Sequence, residues 1–310
     1  MRPAVATDPQ PSDDLVQPFL LESSGIRGNL VRLGPVVHEI LTRHDYPAPV
    51  ASLLGDMLTL TAMLAGLIKH DGVFSLQTKS NGAIGTMIAD VTSEGDLRGY
   101  AAFDEEHVAA IDGASSVPAL PSVPNFLGTG YLAFTADPGP PADRYQGIVE
   151  LTGETLAECL QHYFRQSEQV QSGLLVTTGR VAGAWRSAGL VLQSLPEEGP
   201  THIQPVDEDA WRRAMILQAS CTQAELLGPD LPANDLLYRL FHEEGVRVFR
   251  RHTVQAGCRC SRTRLEDTLR ALPRQEVEDL RIDGEVVVTC EFCNRRYGFD
   301  TAALARIYAP

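Results

Sequence analysis

The last part of this 310-residue chain contains four cysteines in two close pairs. Cys258 and Cys260 form a C-x-C pair, and Cys290 and Cys293 form a C-x-x-C pair, with 29 residues between the two pairs. Thiolates are soft ligands, and four of them complete the tetrahedral shell of a closed zinc site. In a reducing compartment such spacing indicates a metal site before it indicates structural disulfides. We therefore predict one zinc ion bound by these four cysteines.

The same spacing also permits oxidation. Cysteines two or three residues apart can reach the Cα separation of about 4.4–6.8 Å that a disulfide accepts, so pairing of neighbours would eject the metal. Four cysteines allow three pairings, and their spacing does not choose between local and crossed ones. On spacing alone, a purely structural zinc is the favoured interpretation. The other two cysteines, Cys159 and Cys221, lie in helix-like apolar stretches and are predicted to be small buried hydrophobic residues.

The elements around the four cysteines form a small C-terminal domain, 257–310. Ser261 is a candidate cap for a helix ending near Leu272, segments 285–289 and 295–299 suit a hairpin with Cys290 and Cys293 at its turn, and 301–308 suits a last helix. The segment 258–310 is neutral, with nine arginines and nine acidic residues. A unit this small commonly needs a metal to stay folded, so we expect zinc loss to unfold it.

Two further parts precede this domain. Residues 15–204 are predicted to form an α+β domain of mixed helices and sheet, because strand-like and helix-like segments alternate there. The predicted strands are 72–80, 83–91, 97–103, 126–133 and 174–185, and the predicted helices are 36–44, 52–69 and 155–166. Residues 205–256 are predicted to be a helical linker. Residues 1–14 lack the apolar core of a signal peptide and are predicted to be a disordered leader of a cytoplasmic protein.

The linker carries apolar stripes at helical spacing. Their members are Trp211, Met215 and Ile216 in one helix and Leu236, Leu237, Leu240 and Phe241 in the next. The simpler interpretation is that both stripes dock on the first domain. The alternative is that a helical linker between two folded units is a low-stability element that opens first.

Composition and motifs argue against several classes of function. The net charge of −14 disfavours binding to nucleic acids and anionic membranes, which requires cations. The most apolar stretch, 53–68, is too short for a bilayer and contains Asp56. The G-x-G-x-x-A match at 128–133 is not followed by a helix pattern, so no nucleotide site is predicted. Since no nucleophile elbow or histidine signature is present either, we expect a protein that is not an enzyme.

Longer stretches of the sequence resemble one family, the redox-regulated bacterial holdase chaperones called 33 kDa heat-shock proteins. The resemblance is carried by the segments LLYRLFHEEGVRVF, CRCSRTRLEDTLRAL and DGEVVVTCEFCNRRYGFD, and upstream by GIRGNLVRL, LGTGYLAFT and GLVLQSLP. It extends from about residue 15 to 307. No other four-cysteine zinc family known to us carries this N-terminal half.

The resemblance reverses the preference for an inert zinc. It implies a reduced, inactive protein with zinc on Cys258, Cys260, Cys290 and Cys293. It further implies that oxidation forms Cys258–Cys260 and Cys290–Cys293 disulfides, that zinc leaves, and that the C-terminal domain and linker unfold. The oxidised protein would be a dimer that holds unfolding client proteins without ATP. A different class of function stays open: a constitutive zinc-ribbon protein that binds RNA or a partner through Arg259, Arg262 and Arg264.

Overall fold

The computed structural model describes residues 13–67, 72–113, 121–194 and 207–309. The chain divides into two compact units, Met1–Ala256 and Gly257–Pro310. Residues 1–12 of the predicted leader and the predicted boundary at 204–205 lie outside the described residues. The mixture of sheets and helices, with four cysteines clustered near the C-terminus, confirms the predicted α+β class.

Strands and helices are interspersed along the first unit. Its strands are β1 (Leu15–Leu21), β2 (Ile26–Leu33), β3 (Val73–Ser80), β4 (Ile84–Thr92), β5 (Asp96–Phe103), β6 (Gly130–Asp137), β7 (Tyr145–Glu150), β8 (Ser172–Val181), β9 (Ala184–Gln193), β10 (Val246–Val248), β11 (His252–Thr253) and β12 (Gln255–Ala256). Its helices are α1 (Pro35–Thr42), α2 (Ala48–Ala65), α3 (Glu105–Gly113), α4 (Leu156–Gln166), α5 (Glu208–Ala219), α6 (Gln223–Leu227) and α7 (Ala233–Phe241). Single turns of π-helix and 3₁₀-helix lie at Val123–Leu127 and His242–Glu244.

Two six-stranded sheets enclose the core of this unit. The first has the order β10-β1-β2-β9-β8, with β11 also paired to β1, and the second has the order β12-β5-β4-β3-β6-β7. Helix α2 contacts strands of both sheets, among them β4, β5, β8 and β9. By length and composition α2 passes as a membrane span, but most of it is buried inside the protein, as in a core helix.

Two of the predicted strands differ from the structure. The predicted strand 126–133 begins instead as a π-turn, and β6 starts only at Gly130, so the glycine-rich motif at 128–133 opens a strand. The predicted strand 174–185 is two strands, because Ala182 and Gly183 adopt left-handed φ angles of 50° and 85° and form a tight hairpin turn. The sequence prediction also missed β1 and β2. Strand β1 pairs with β2, and β2 pairs with β9, which completes the first sheet.

The segment predicted as a linker lies within the first unit. Helices α5 to α7 cover one face of the first sheet, and the rings of Phe19 and Phe241 stack with their centroids 5.7 Å apart. The second apolar stripe is buried as a whole, since Leu236, Leu237, Leu240 and Phe241 are all core residues. In the first stripe Trp211 and Met215 pack on this core, whereas Ile216 is 62% exposed, so its predicted place in the stripe is wrong.

Buried arginines hold this helical segment to the sheet. Arg32, 1% exposed on β2, donates hydrogen bonds to the carbonyl oxygens of Leu231 and of Glu225, the latter at 2.8 Å. Arg186 on β9 donates to the Leu227 carbonyl at 2.6 Å and pairs with Asp13. The backbone of α6 and of the segment that leads to α7 is therefore bound by charged donors that the sheet contributes.

An acidic side chain on α2 is also largely removed from water. Burial raises the pKa of Asp56 to about 7, against the opposing effect of a hydrogen bond that the Thr178 hydroxyl donates at 2.7 Å. Thr178 in turn contacts the Ser187 hydroxyl at 2.7 Å. A carboxyl group with a raised pKa binds its proton more tightly in the folded state than in the unfolded state. The contribution of Asp56 to stability should consequently fall as the pH rises from about 4 to 7.

The variant Asp56→Asn removes this ionisation and keeps an oxygen to accept the Thr178 bond. We expect its free energy of unfolding to exceed that of the wild type by up to about 4 kcal/mol at pH 8, with a smaller gain at pH 5. Urea unfolding of the reduced, zinc-supplemented protein, followed by circular dichroism at both pH values, measures the difference. Asp45→Asn, at an exposed position, is the control. An equal gain at both pH values would contradict this account.

Candidate metal centre

The second unit places its cysteines between short elements. These are α8 (Arg262–Arg270), α9 (Arg274–Asp279), β13 (Val286–Thr289), β14 (Arg296–Phe299) and α10 (Thr301–Ile307). The Ser261 hydroxyl caps α8 by accepting a hydrogen bond from the Arg264 amide at 3.2 Å, as predicted. Strands β13 and β14 form the expected antiparallel hairpin, whereas α9 was not predicted.

The hairpin turn presents one pair of cysteines. Asn294 adopts a left-handed φ of 56°, a conformation that asparagine accepts more readily than most residues. The Cys290 amide donates to the Arg295 carbonyl at 2.9 Å, and the Asn294 amide donates to the Cys290 carbonyl at 2.8 Å. These bonds bring Cys290 and Cys293 to the same side of the turn. The other pair lies in the extended segment that leads to the Ser261 cap.

The four sulfur atoms converge. All of them lie within 4.8 Å of one another, and each cysteine is half-buried. The Cys258 and Cys290 sulfurs are 3.7 Å apart, and those of Cys260 and Cys293 are 3.4 Å apart. A zinc–sulfur bond of about 2.3 Å requires sulfurs about 3.8 Å apart in a regular tetrahedron. The donor set and its dimensions therefore fit a zinc ion.

Backbone amides point at the sulfurs of the hairpin turn. Those of Phe292 and Cys293 bond to the Cys290 sulfur, and that of Arg295 bonds to the Cys293 sulfur, which favours the thiolates. Burial outweighs these bonds and raises the pKa of Cys290. Burial, together with hydrogen bonds to the neighbouring thiols, raises the pKa of Cys293 to about 12. Four thiolates packed this closely require a cation to balance their charge.

Of two side chains around the cluster, Tyr297 was not singled out from the sequence, and Arg262 was named only as a candidate contact for RNA or a partner. The Tyr297 hydroxyl lies 3.2 Å from the Cys260 sulfur. Arg262 donates to the Gly298 carbonyl at 3.0 Å, and its guanidinium group lies 4.5 Å from the ring centroid of Phe299. Both contacts tie the C-x-C segment to β14. Tyr297 and the buried Phe299 are two residues apart in β14 and therefore lie on the same face of the strand. This spacing was the sequence pattern from which the inward position of Tyr297 could have been predicted.

The arginines of the alternative RNA-binding hypothesis make contacts within their own unit. Arg262 makes the contacts just described, and Arg264 donates to the Arg259 carbonyl at 3.0 Å. Their donors are in part occupied by the fold of the metal centre. This arrangement gives the RNA-binding hypothesis no specific support.

The remaining two cysteines lie in the first unit. Cys159 is on α4 and Cys221 follows α5, and both are buried, as the small-hydrophobe interpretation predicts. Burial raises the pKa of both thiols. Neither belongs to the metal-ligand cluster found among the described residues.

A small apolar core lies beside the cluster. Its fully or nearly buried members are Leu269, Val277, Val286, Phe299, Ala303, Leu304 and Ile307. Exposed apolar side chains remain on the same unit, including Leu280 at 62% and Ile282 at 75%. Because so few side chains form this core, the cross-link that a metal ion provides would be a large part of its stability.

Comparison with known proteins identifies relatives along almost the whole chain. The family model described as Hsp33 protein matches residues 14–300. The 33 kDa chaperonin of Caulobacter vibrioides is 36% identical over 301 residues, covering 96% of this chain and 98% of that protein. The 33 kDa chaperonin of Ectopseudomonas mendocina is 38% identical over 299 residues, covering 96% of both.

A solved structure shares the fold. The crystal structure of the 33 kDa chaperonin, a heat shock protein 33 homolog, from Thermotoga maritima aligns with a TM-score of 0.77 and 23% sequence identity. The alignment covers 95% of this chain and 97% of that one.

Proposed function

Because the chain belongs to the Hsp33 family of chaperones, we propose that it is a redox-regulated holdase whose activity is controlled by the four-cysteine centre. The reduced protein binds one zinc ion and is inactive. Oxidation converts it into a form that binds unfolding proteins without ATP and protects them from aggregation under oxidative stress. The observation that carries the proposal is the convergence of four sulfurs, at tetrahedral distances, in a unit with a very small core.

In the reduced state Cys258, Cys260, Cys290 and Cys293 would hold the metal. When bound, zinc would balance the charge of the thiolates and cross-link the C-x-C segment to the hairpin turn. The chain contributes the backbone amides of Phe292, Cys293 and Arg295 and the Tyr297 hydroxyl, all directed at sulfur. Binding of a structural zinc is worth on the order of 10–16 kcal/mol, more than a domain of this size gains from its core.

Oxidation then removes the ligands. In each disulfide two thiolates together lose two electrons to hypochlorous acid, which takes up one proton and yields chloride and water. We propose the local pairs Cys258–Cys260 and Cys290–Cys293, following the family resemblance. The sulfur contacts of 3.7 and 3.4 Å run between the two pairs, so proximity in the reduced centre does not by itself favour local pairing. Mass spectrometry of the oxidised protein, which maps the linked cysteines, decides between local pairing and pairing across the two cysteine pairs.

Loss of zinc is proposed to unfold the second unit and, with it, the helical segment 205–256. Cys258 follows β12 by two residues along the chain. Release of α5 to α7 would expose the apolar face of the first sheet, including Leu15, Phe19 and Leu190, together with the buried stripe around Leu237. An apolar surface of this kind, on a chain with a net charge of −14, suits binding of unfolded proteins while the complex stays in solution.

The remaining features of the proposal follow from the resemblance and from the composition and motifs of the sequence. The oxidised form is a homodimer, and the protein acts in the cytoplasm. It is not an enzyme, and it uses no nucleotide, nucleic acid or membrane. We assign Cys159 and Cys221, which are both buried, no role in the switch.

Treatment with hypochlorite tests the proposal. We expect one equivalent of zinc to be released, ellipticity in the far ultraviolet to fall, and suppression of the aggregation of a heat-unfolded client to rise from near zero. A Cys159→Ser, Cys221→Ser double variant serves as the matched control and should respond like the wild type. Zinc that stays bound, or leaves without any gain in aggregation suppression, would overturn the proposal.

A further inference from the structure

A tyrosine hydroxyl is directed at one of the four sulfurs. The Tyr297 hydroxyl lies 3.2 Å from the sulfur of Cys260, within hydrogen-bonding distance for a sulfur acceptor. Once Cys260 is a thiolate, its sulfur can only accept, so the phenol is the donor. The bond joins the C-x-C segment to β14.

The position of Tyr297 is fixed on both sides. Its ring packs against the small core of the second unit, and its backbone pairs with Val288 in the hairpin. On the other side, Arg262 donates to the Gly298 carbonyl and holds the residues after Cys260 against the same strand. The hydroxyl is thus carried by a rigid element, which is what a hydrogen bond to a metal-bound ligand needs in order to tune it.

We propose that Tyr297 is a positioning residue that lowers the nucleophilicity of the Cys260 thiolate in the zinc-bound protein. A donor hydrogen bond withdraws electron density from the sulfur and is lost when the sulfur becomes neutral by forming a new covalent bond. The zinc-bound thiolate is therefore stabilised relative to its reaction products. This inference deepens the proposed function, because it names a residue that restrains attack by Cys260 on an oxidant.

The test uses the reduced, zinc-loaded full chain and the alkylating reagent iodoacetamide. In this reaction the sulfur forms a carbon–sulfur bond and iodide leaves, so no oxidant is involved. We expect Tyr297→Phe to increase the alkylation rate at Cys260 about three- to tenfold, measured by peptide mass spectrometry. Cys159 is buried in the other unit, and its alkylation rate in the same samples should not change.

Tyr308→Phe is the matched control. The Tyr308 hydroxyl donates to the Leu269 carbonyl at 2.6 Å in the same unit, so this variant removes a tyrosine hydrogen bond without touching sulfur. Its Cys260 rate should equal that of the wild type. If Tyr308→Phe accelerates alkylation as much as Tyr297→Phe, general loosening of the unit explains the effect and the inference is wrong.

A second variant guards against a fold defect in Tyr297→Phe. Site-specific incorporation of 3-fluorotyrosine at position 297 keeps the ring and makes the hydroxyl a stronger donor, so Cys260 should react more slowly than in the wild type. An unchanged Cys260 rate in both position-297 variants, each holding one equivalent of zinc, would overturn the inference. Zinc that resists hypochlorite would contradict only the proposed function, since alkylation still reports on Tyr297.

Discussion

Cys293→Ser is expected to abolish zinc binding and to unfold the second unit under reducing conditions. The serine hydroxyl is a poor ligand for zinc, and three thiolates close to one another lose the cation that balances them. The small core around Phe299 cannot replace a binding free energy on the order of 10–16 kcal/mol. We expect less than a tenth of an equivalent of zinc by elemental analysis, with amide resonances of the second unit collapsing to unfolded positions, while those of the first sheet persist.

Cys221→Ser is the control for this experiment. This variant makes the same replacement of sulfur by oxygen at a buried cysteine of the first unit, and it should retain one equivalent of zinc. The prediction also has a functional consequence. If an unfolded second unit is what activates the protein, Cys293→Ser should suppress client aggregation without any oxidant. A variant that retains full zinc and native resonances would show that Cys293 is not a ligand.

Arg32→Ala is expected to release the helical segment from the first sheet. The side chain is fully buried and donates to the carbonyl oxygens of Glu225 and Leu231, so its removal leaves two acceptors unpaired and opens a cavity. Charge-assisted hydrogen bonds are worth about 1.5–3 kcal/mol each, and we expect the local free energy of opening to fall by about 3–5 kcal/mol. Hydrogen exchange of peptides that span α6 and α7, on the reduced zinc-bound protein, measures this change.

Arg212→Ala provides the comparison. Arg212 lies on α5 and forms an exposed ion pair with Asp209, whose contribution should be below about 1 kcal/mol. Exchange in the α6–α7 peptides should therefore stay at the wild-type rate. If Arg32→Ala leaves that rate unchanged as well, the buried arginine does not hold the segment. If exchange rises but aggregation suppression without oxidant does not, release of the segment alone is insufficient for activity.

Local sequence signals determined much of the second unit. The cysteine spacing predicted convergence of the four sulfurs, Ser261 predicted the start of α8, and strand-like segments on both sides of the C-x-x-C turn predicted the hairpin. The helix start and the hairpin depend on residues within a few positions of one another, so neighbours in sequence suffice to specify them. Convergence of the two cysteine pairs was predictable because four thiolates share the chemistry of one zinc site. Family-like segments likewise identified the family, which the match over residues 14–300 shows.

Other features depend on residues far apart in the chain. Strand β2 was missed because its partner β9 lies about 160 residues away, and β1 was missed because, apart from β2, it pairs with β10 and β11 from the far end of the same unit. The sequence pattern of neither strand specifies these partners. The break between β8 and β9 was missed because an alanine, unusual at a left-handed φ, occupies the turn. Ile216 was assigned to a buried stripe because of helical periodicity. Periodicity shows which residues share one face of a helix, but it does not show how much of that face a neighbouring element covers.

The sequence by itself determined that four thiol ligands belong together and that the unit carrying them is too small to rely on its core. Only the tertiary structure decided which groups act on those ligands and on the helical segment. The Tyr297 hydroxyl reaches Cys260 across 37 positions, and Arg32 reaches Leu231 across 199. A hydrogen bond requires two atoms within about 3 Å. For residues so distant in sequence, that proximity is created by folding and has no local pattern to reveal it.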